Sequence, residues 1–97
     1  MGAMVKSVHT TEYRALRAAL REMRASAGLS QRDLAHRLTV PHSWVAKVES
    51  GERRIDVVEF CWFASACGAD PLAVFDRVTR KVRKPRLARR GKEGPLT

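Results

Sequence analysis

The chain has 97 residues, below the usual size of one domain, so we expect one compact core with at most a tail beside it. Hydrophobic residues make up 44% of the sequence, which excludes a chain that is disordered throughout. The net charge of +9 favours an anionic partner, and both nucleic acids and anionic membrane surfaces fit that description. No apolar run reaches the ~18–20 residues of a membrane-spanning helix and no signal peptide is apparent, so we expect a cytoplasmic protein with no membrane partner.

The excess of positive charge is concentrated near the C-terminus. Residues 1–78 hold 11 Lys/Arg and 9 Asp/Glu, a balance of +2. Residues 79–97 hold 8 and 1, a balance of +7. Because prolines and glycines interrupt this basic segment and its apolar periodicity fades, we predict a disordered basic tail over 84–97.

The first helix is predicted over 11–27. Its apolar residues recur at spacings of three and four, which is typical of one buried face of a helix: Tyr13, Leu16, Leu20, Met23 and Ala27. Thr10 or Thr11 can cap its start, and Gly28 can end it in the left-handed conformation. Residues 1–10 are predicted to be a flexible N-terminus that begins with a cloning remnant, so the domain itself is predicted over 11–83.

Two short helices follow. Ser30 and Asp33 form a capping-box pattern that opens a helix over 31–38. Pro41 suits the first turn of the next helix, predicted over 41–50, because its missing N–H costs nothing there. Val45 and Val48 would face the core in that helix.

The fourth helix is predicted from the capping pair Asp56 and Glu59 to about Ala66, and a fifth starts at Asp70-Pro71. The fourth has a predicted inward stripe formed by Val57, Phe60, Phe63, Ala64 and Cys67. Further apolar residues remain on a neighbouring face: Val58, Cys61 and Trp62. Such a surplus indicates either a partner surface or a wider buried stripe covered by the C-terminal segment.

Cys61 and Cys67 are the two cysteines. Six residues apart on one helix, they lie about 240° apart around its axis, which does not suit a disulfide. The chain has no C-x-x-C pair and no clustered histidines, so we predict no metal site and interpret both cysteines as small core residues.

The residues of the second and third helices resemble a known family, the phage repressor and Cro-like (Xre-type) helix-turn-helix DNA-binding domains. The family pattern G-L-S-Q-x-x-L-A-x-x-L … E-x-G is matched in order and spacing by Gly28-Leu29-Ser30-Gln31, Leu34-Ala35, Leu38, Trp44-Val45 and Glu49-Ser50-Gly51. The resemblance covers roughly 13–78 and implies an all-α, five-helix fold. Two residues depart from the family: Thr39 stands where glycine is usual, and Pro41 where the third helix usually opens with Ser or Thr.

The resemblance implies a sequence-specific transcription regulator of the repressor kind that binds double-stranded DNA at the nucleoid. The third helix would read the major groove. With Val45 and Val48 inward, helical geometry also places the following residues on the exposed side as candidates for base contacts: His42, Ser43, Ala46 and Lys47.

The resemblance implies phosphate contacts for a second set of residues: Gln31, Arg32, Trp44, Arg53 and Arg54. In the family, the glutamine that matches Gln31 contacts the DNA backbone. Trp44 has two other interpretations, packing at the edge of the core and a dimer contact. The resemblance further implies a structural ion pair between Arg24 and Glu49. The basic tail would add phosphate contacts or enter a minor groove.

We expect a homodimer because two-fold partners bind half-sites about one helical turn, ~34 Å, apart. Its interface is predicted at Val58, Trp62 and part of the fifth helix. The alternative is a protein-interaction module on the same fold, such as an antitoxin or antiactivator that binds another protein. The sequence shows no Ser-His-acid set, no usefully spaced carboxylates and no phosphate loop, so we predict no enzyme, cofactor or small-molecule substrate.

Overall fold

A computed structural model describes residues 10–82, and within that range the chain forms five helices and no strand. They are α1 (Thr11–Ser26), α2 (Gln31–Leu38), α3 (His42–Ser50), α4 (Val57–Ala66) and α5 (Pro71–Lys81). The predicted all-α, five-helix fold is confirmed. The predictions for the N-terminal remnant and for the basic tail fall on 1–9 and 83–97, outside the described residues.

Side chains at the helix starts satisfy backbone N–H groups that have no partner inside the helix. The Thr10 hydroxyl accepts a hydrogen bond from Tyr13 N (3.0 Å) at the start of α1. The predicted capping box of α2 is present, because Ser30 Oγ accepts from Asp33 N (3.0 Å) and Asp33 Oδ2 accepts from Ser30 N (2.9 Å). Asp56 and Glu59 form the same reciprocal pair at α4. These local signals explain why the starts of α1, α2 and α4 could be predicted from the sequence.

Two helix boundaries differ from the prediction by one residue. α1 ends at Ser26, and Ala27 is its C-cap. α3 begins at His42, because Pro41 is the extended N-cap residue (φ −63°, ψ 149°) and not the first helical residue. The proline ring fixes φ at a helical value but leaves ψ free, so Pro41 can stand immediately before the helix as well as inside it.

α1 packs against α3, α4 and α5, while α2 packs against α3 and α4. The helices enclose one core whose fully buried large side chains are Leu20, Leu34, Val45, Val48 and Phe63. No helix within residues 10–82 combines the length and the apolar character needed to cross a membrane.

The predicted inward stripe of α4 is wrong at Val57, which is 72% exposed. Phe60, Phe63 and Ala64 are buried, and at ~100° per residue Val57 lies about 70° from the centre of their stripe. Cys61 is also exposed, so its interpretation as a core residue is wrong. Cys67 is half-buried against the core, and this burial raises the pKa of its thiol.

Candidate nucleic-acid interface

The third helix has one buried side and one open side. Val45 and Val48 are fully buried. Ser43 and Lys47, one turn apart on the opposite side, are exposed, and Ala46 between them is half-buried. α3 therefore presents a short polar face with a small apolar patch to the outside.

The N-terminus of α3 is open. Pro41 makes no side-chain hydrogen bond to the first turn, and His42 is exposed beside it. The first backbone N–H groups of a helix have no intrahelical partner, and they carry the positive end of the helix dipole. This end can therefore donate hydrogen bonds to an anionic or carbonyl-rich partner.

A buried carboxylate joins the first three helices. The Glu49 side chain is 3% exposed, and its Oε2 accepts from Arg24 Nε at 2.6 Å. Its Oε1 accepts from Arg24 Nη2 (2.9 Å) and from Gln31 Nε2 (3.0 Å). Arg24 Nη1 also donates to Leu29 O (2.9 Å), the carbonyl that precedes the start of α2. The two residues of the predicted ion pair thus form a bidentate contact. The hydrogen bond to Glu49 raises the pKa of Arg24.

Gln31 lies at the first position of α2, with its amide half-buried. An amide nitrogen carries two hydrogens, and the bond to Glu49 uses one of them. The orientation of the Gln31 side chain is therefore set by Glu49, while one N–H is left for a further acceptor. Arg32, the next residue, is exposed.

Arg53 has several partners within the chain. Its guanidinium donates to both carboxylate oxygens of Glu59 (3.1 and 3.0 Å) and to Arg54 O (2.9 Å). It also lies 5.0 Å from the centre of the Trp44 ring, over its face. The bonds to Glu59 raise the pKa of Arg53. This side chain connects α3 to α4, and its predicted phosphate contact would compete with those bonds.

Trp44 is half-buried and packs against the core. Packing at the core edge was one of the three sequence interpretations of this residue, and the contact with Arg53 holds the ring there. Its phosphate contact stays a prediction. Arg54 and Lys47 are exposed, so their charges face outward near the end of α3.

The predicted dimer residues Val58 and Trp62 are 54% and 59% exposed. The apolar surface extends further than the sequence indicated, because Val57, Leu72 and Phe75 are also more than half exposed. A groove on this side is lined almost entirely by apolar atoms, from Leu16, Ile55, Val57, Cys61, Leu72 and Phe75 among others. The alternative, burial under the C-terminal segment, concerns residues beyond the described range.

The sequence interpretation missed Arg17 and Arg21. Both donate to backbone carbonyls at the end of α3, Arg17 to Ser50 O and Arg21 to Glu49 O. Their spacing from Arg24 (seven and three residues) places all three on one face of α1 and was the available signal. Among residues 10–82, no group of three His, Cys, Asp or Glu could hold a metal ion.

Comparisons with known proteins agree with this arrangement. The sequence profile of a family described as "Helix-turn-helix domain" matches residues 15–75. A solved structure of an XRE-family like protein from Pseudomonas syringae pv. tomato str. DC3000 is 40% identical; the match covers 79% of this chain and 94% of that one, with a TM-score of 0.72. The clp gene regulator ClgR from C. glutamicum is 25% identical, with coverage of 77% and 97% and a TM-score of 0.66. No curated protein matches the chain.

Proposed function

Because the chain belongs to the Xre-type family of helix-turn-helix domains, we propose that it is a sequence-specific transcription regulator of the repressor kind that binds double-stranded DNA. The supporting observation is the exposed polar side of α3, where Ser43 and Lys47 point away from the buried Val45 and Val48. A similar solved protein, ClgR, is described as a gene regulator.

In this proposal α3 lies in the major groove, whose width of ~12 Å admits a helix and whose base edges distinguish all four base pairs. Ser43 and Lys47 reach base edges with polar atoms, and His42 does so from the open N-terminus. Ala46, which is half-buried, offers its methyl group to a thymine methyl. These four side chains carry the base preference.

The DNA backbone is held beside α3. The second N–H of the Gln31 amide donates a hydrogen bond to one phosphate, while the bond to Glu49 fixes the orientation of the amide. Exposed cations on either side supply further contacts, Arg32 from α2 and Arg54 from the loop after α3. Arg53 contributes its charge while it remains bonded to Glu59, and the Trp44 ring beside it lines the same edge.

The test is selection of bound duplexes from a random-sequence library at a stated salt concentration, followed by a Lys47→Ala variant. Loss of one base contact is expected to cost about 1–3 kcal/mol and to relax the preference at one position. Arg77→Ala is the matched control, because Arg77 is an exposed cation on α5. An unselective library, or the same preference with and without Lys47, would contradict the proposal. Repression is then measured with a reporter gene whose promoter contains the selected site.

We further propose that the active form is a homodimer. The exposed side chains of α4 (Val57, Val58, Cys61, Trp62 and Ser65) carry no charge. A chain with a net charge of +9 repels its own copies, so a neutral apolar face is the surface on which two copies can meet with the least repulsion. Leu72 and Phe75 of α5 extend that face.

Sedimentation equilibrium of the full chain tests this point. We expect a dimer at micromolar concentration and a monomer for Trp62→Arg, which places a charge on this otherwise uncharged face. Arg77→Glu alters charge outside the face and is expected to remain dimeric. A wild-type chain that is monomeric at high micromolar concentration would exclude the homodimer.

The same exposed apolar face supports a second candidate function, binding of another protein by an antitoxin-like or antiactivator-like module. The two functions differ in what the face does. If Trp62→Arg abolishes co-purification of a partner protein and leaves the sedimentation of the isolated chain unchanged, the second function is favoured.

A further inference from the structure

The C-terminal end of α3 is held in two different ways. The last carbonyl groups of a helix have no intrahelical donor and need partners from elsewhere. Lys47 O accepts from Arg53 N (3.1 Å) and Val48 O accepts from Gly51 N (3.3 Å), so the loop that follows α3 satisfies these two.

The last two carbonyls are satisfied by α1. Arg21 Nη1 donates to Glu49 O at 3.0 Å, and Arg17 Nη1 donates to Ser50 O. Arg24 binds the Glu49 side chain one turn further along α1. Arg17, Arg21 and Arg24 therefore lie in one row along α1, and all three contact the end of α3.

We propose that Arg17 and Arg21 are positioning residues that set the direction in which α3 enters the DNA groove. This inference rests on the proposed function, and it concerns residues to which that function assigns no DNA contact. The apolar contacts of Val45 and Val48 fix which side of α3 faces inward, but such contacts are not directional and allow the helix to slide and tilt. Hydrogen bonds to the terminal carbonyls are directional, and charged donors make them stronger.

Because of the length of α3, a small tilt about its C-terminal end displaces its N-terminal residues by a larger distance. At 1.5 Å per residue, His42 lies about 12 Å along the axis from Ser50. A tilt of about 5° around the C-terminal end therefore moves the N-terminal residues by about 1 Å, which is enough to break a hydrogen bond to a base edge. Because Pro41 leaves the N-terminus without a side-chain cap, the anchors at the opposite end matter more.

Gly51 makes room for this arrangement. It has a positive φ of 87°, and a Cβ atom at this position would lie 2.5 Å from Arg17 Nη1. The close approach of Arg17 to the end of α3 therefore requires glycine. Since Arg17 Nε is also buried with no hydrogen-bond partner, replacing Arg17 relieves a cost as well as removing a contact. Arg21 is exposed and is the clearer position to vary.

The experiment compares Arg21→Gln with Arg77→Gln in the full chain. Both variants remove one exposed arginine and the same charge, but Arg77 lies on α5. Affinity is measured for the duplex that the wild-type chain selects from a random library and for a scrambled duplex of the same length. We expect the ratio of the two affinities to fall about tenfold for Arg21→Gln, the size of one lost hydrogen bond to a charged group. For Arg77→Gln the ratio should stay within about twofold.

The ratio of the two affinities distinguishes a change in the direction of α3 from partial unfolding. Partial unfolding lowers the concentration of active protein and weakens both affinities by the same factor, whereas a misdirected α3 weakens only the selected duplex. Arg21→Lys keeps the charge and a donor, and it should recover most of the ratio. An unchanged ratio for Arg21→Gln, or equal losses on both duplexes, would overturn the inference.

A measurement without DNA distinguishes this failure from failure of the proposed function. Backbone amide NMR shifts of Ser43 and Ala46 report the placement of α3 in the free protein. Arg21→Gln is expected to move them and Arg77→Gln is not. If these shifts move while the wild-type chain selects no sequence, the positioning of α3 stands and the DNA function fails.

Discussion

Thr39 is the residue whose conformation is least expected from its side chain. It ends α2 in the left-handed region, with φ 59° and ψ 47°, and it is the one non-glycine residue with positive φ among residues 10–82. A β-branched side chain in that region costs roughly 1–2 kcal/mol. Its N–H still closes the helix by donating to His36 O, so the turn between α2 and α3 keeps its geometry without glycine.

We therefore expect Thr39→Gly to stabilise the domain. Removing the Cβ relieves the strain, and the greater freedom of glycine in the unfolded chain cancels part of the gain, which leaves about 0.5–1 kcal/mol. Urea unfolding followed by circular dichroism measures the difference. Thr39→Ala is the control, because alanine retains a Cβ in the left-handed region and should give at most a small gain. Equal stabilisation by Gly and Ala would show that the β-branch, and not positive φ, is the cost.

Residues whose partner lies within one helical turn could be predicted from the sequence pattern, and the Arg24–Glu49 pair was implied by the family resemblance, whereas the partners of Arg53 could not be predicted. Ser30 and Asp33 cap α2 through bonds three residues apart, so their pattern was sufficient. Arg53 looked like a free cation in the sequence, yet it is bonded to Glu59 and stacked over Trp44. The path of the loop between α3 and α4 brings those three side chains together, and the sequence pattern does not show that path.

At the scale of the elements, the contact between α1 and α3 depends on Arg24 and Glu49. Arg24→Met leaves the Glu49 carboxylate buried with Gln31 as its remaining side-chain donor. Breaking a buried pair in this way costs about 3–5 kcal/mol, and we expect a loss of that size in urea unfolding. Arg24→Met/Glu49→Gln removes the stranded charge and should recover most of the loss. If the double variant is as unstable as the single one, packing of the Arg24 stem and not the charge explains the effect.

The start of α4 should make stability depend on pH in the acid range. Hydrogen bonds from Arg53, together with the Asp56 backbone N–H, hold the pKa of Glu59 below its ordinary value of 4.5. The folded state therefore binds this proton less readily than the unfolded state. The resulting stabilisation is complete above about pH 4.5 and is lost as the pH falls through the lower, folded pKa.

Glu59→Gln is the variant that tests this dependence. It should lower stability at pH 7 by about 0.5–2 kcal/mol, the usual value of a helix cap, and should flatten the loss of stability as the pH falls below about 4.5. Glu52→Gln, an exposed change in the preceding loop, serves as the control and should keep the wild-type profile. Parallel pH profiles for Glu59→Gln and the wild-type chain would contradict the assignment.

The order and type of the helices followed from periodicity and end signals, but the faces of α4 did not. Nearly every side chain of α4 is apolar, so periodicity alone could not show which side faces the core, and Val57 was assigned wrongly. On α3, where Val45 and Val48 alternate with polar residues, the same reasoning identified both sides. The amphipathic contrast of a helix therefore decides how much of its packing can be predicted.

At the scale of the whole molecule, charge is divided between two parts of the chain. Residues 1–78 have a balance of +2, so contacts by the domain must come from individually placed cations such as Lys47 and Arg54. Residues 79–97 have a balance of +7, which attracts any polyanion whatever its sequence. Under the proposed function, base preference therefore belongs to the domain and general affinity to the basic segment.

Deleting residues 84–97 tests that division. The segment holds five Lys/Arg, and each phosphate neutralised by the tail adds about 0.9 to the slope of log affinity against log salt concentration. We expect the truncated chain to bind selected and scrambled duplexes more weakly by similar factors, with a slope reduced by up to about 4.5. The selected sequence should stay the same, because the α3 residues that are proposed to face the groove are intact. A chain whose five tail cations are replaced by Gln, at unchanged length, should behave like the truncated one. A changed consensus in either variant would mean that the tail reads bases, as a minor-groove segment does, and would end the division between specific domain and general tail.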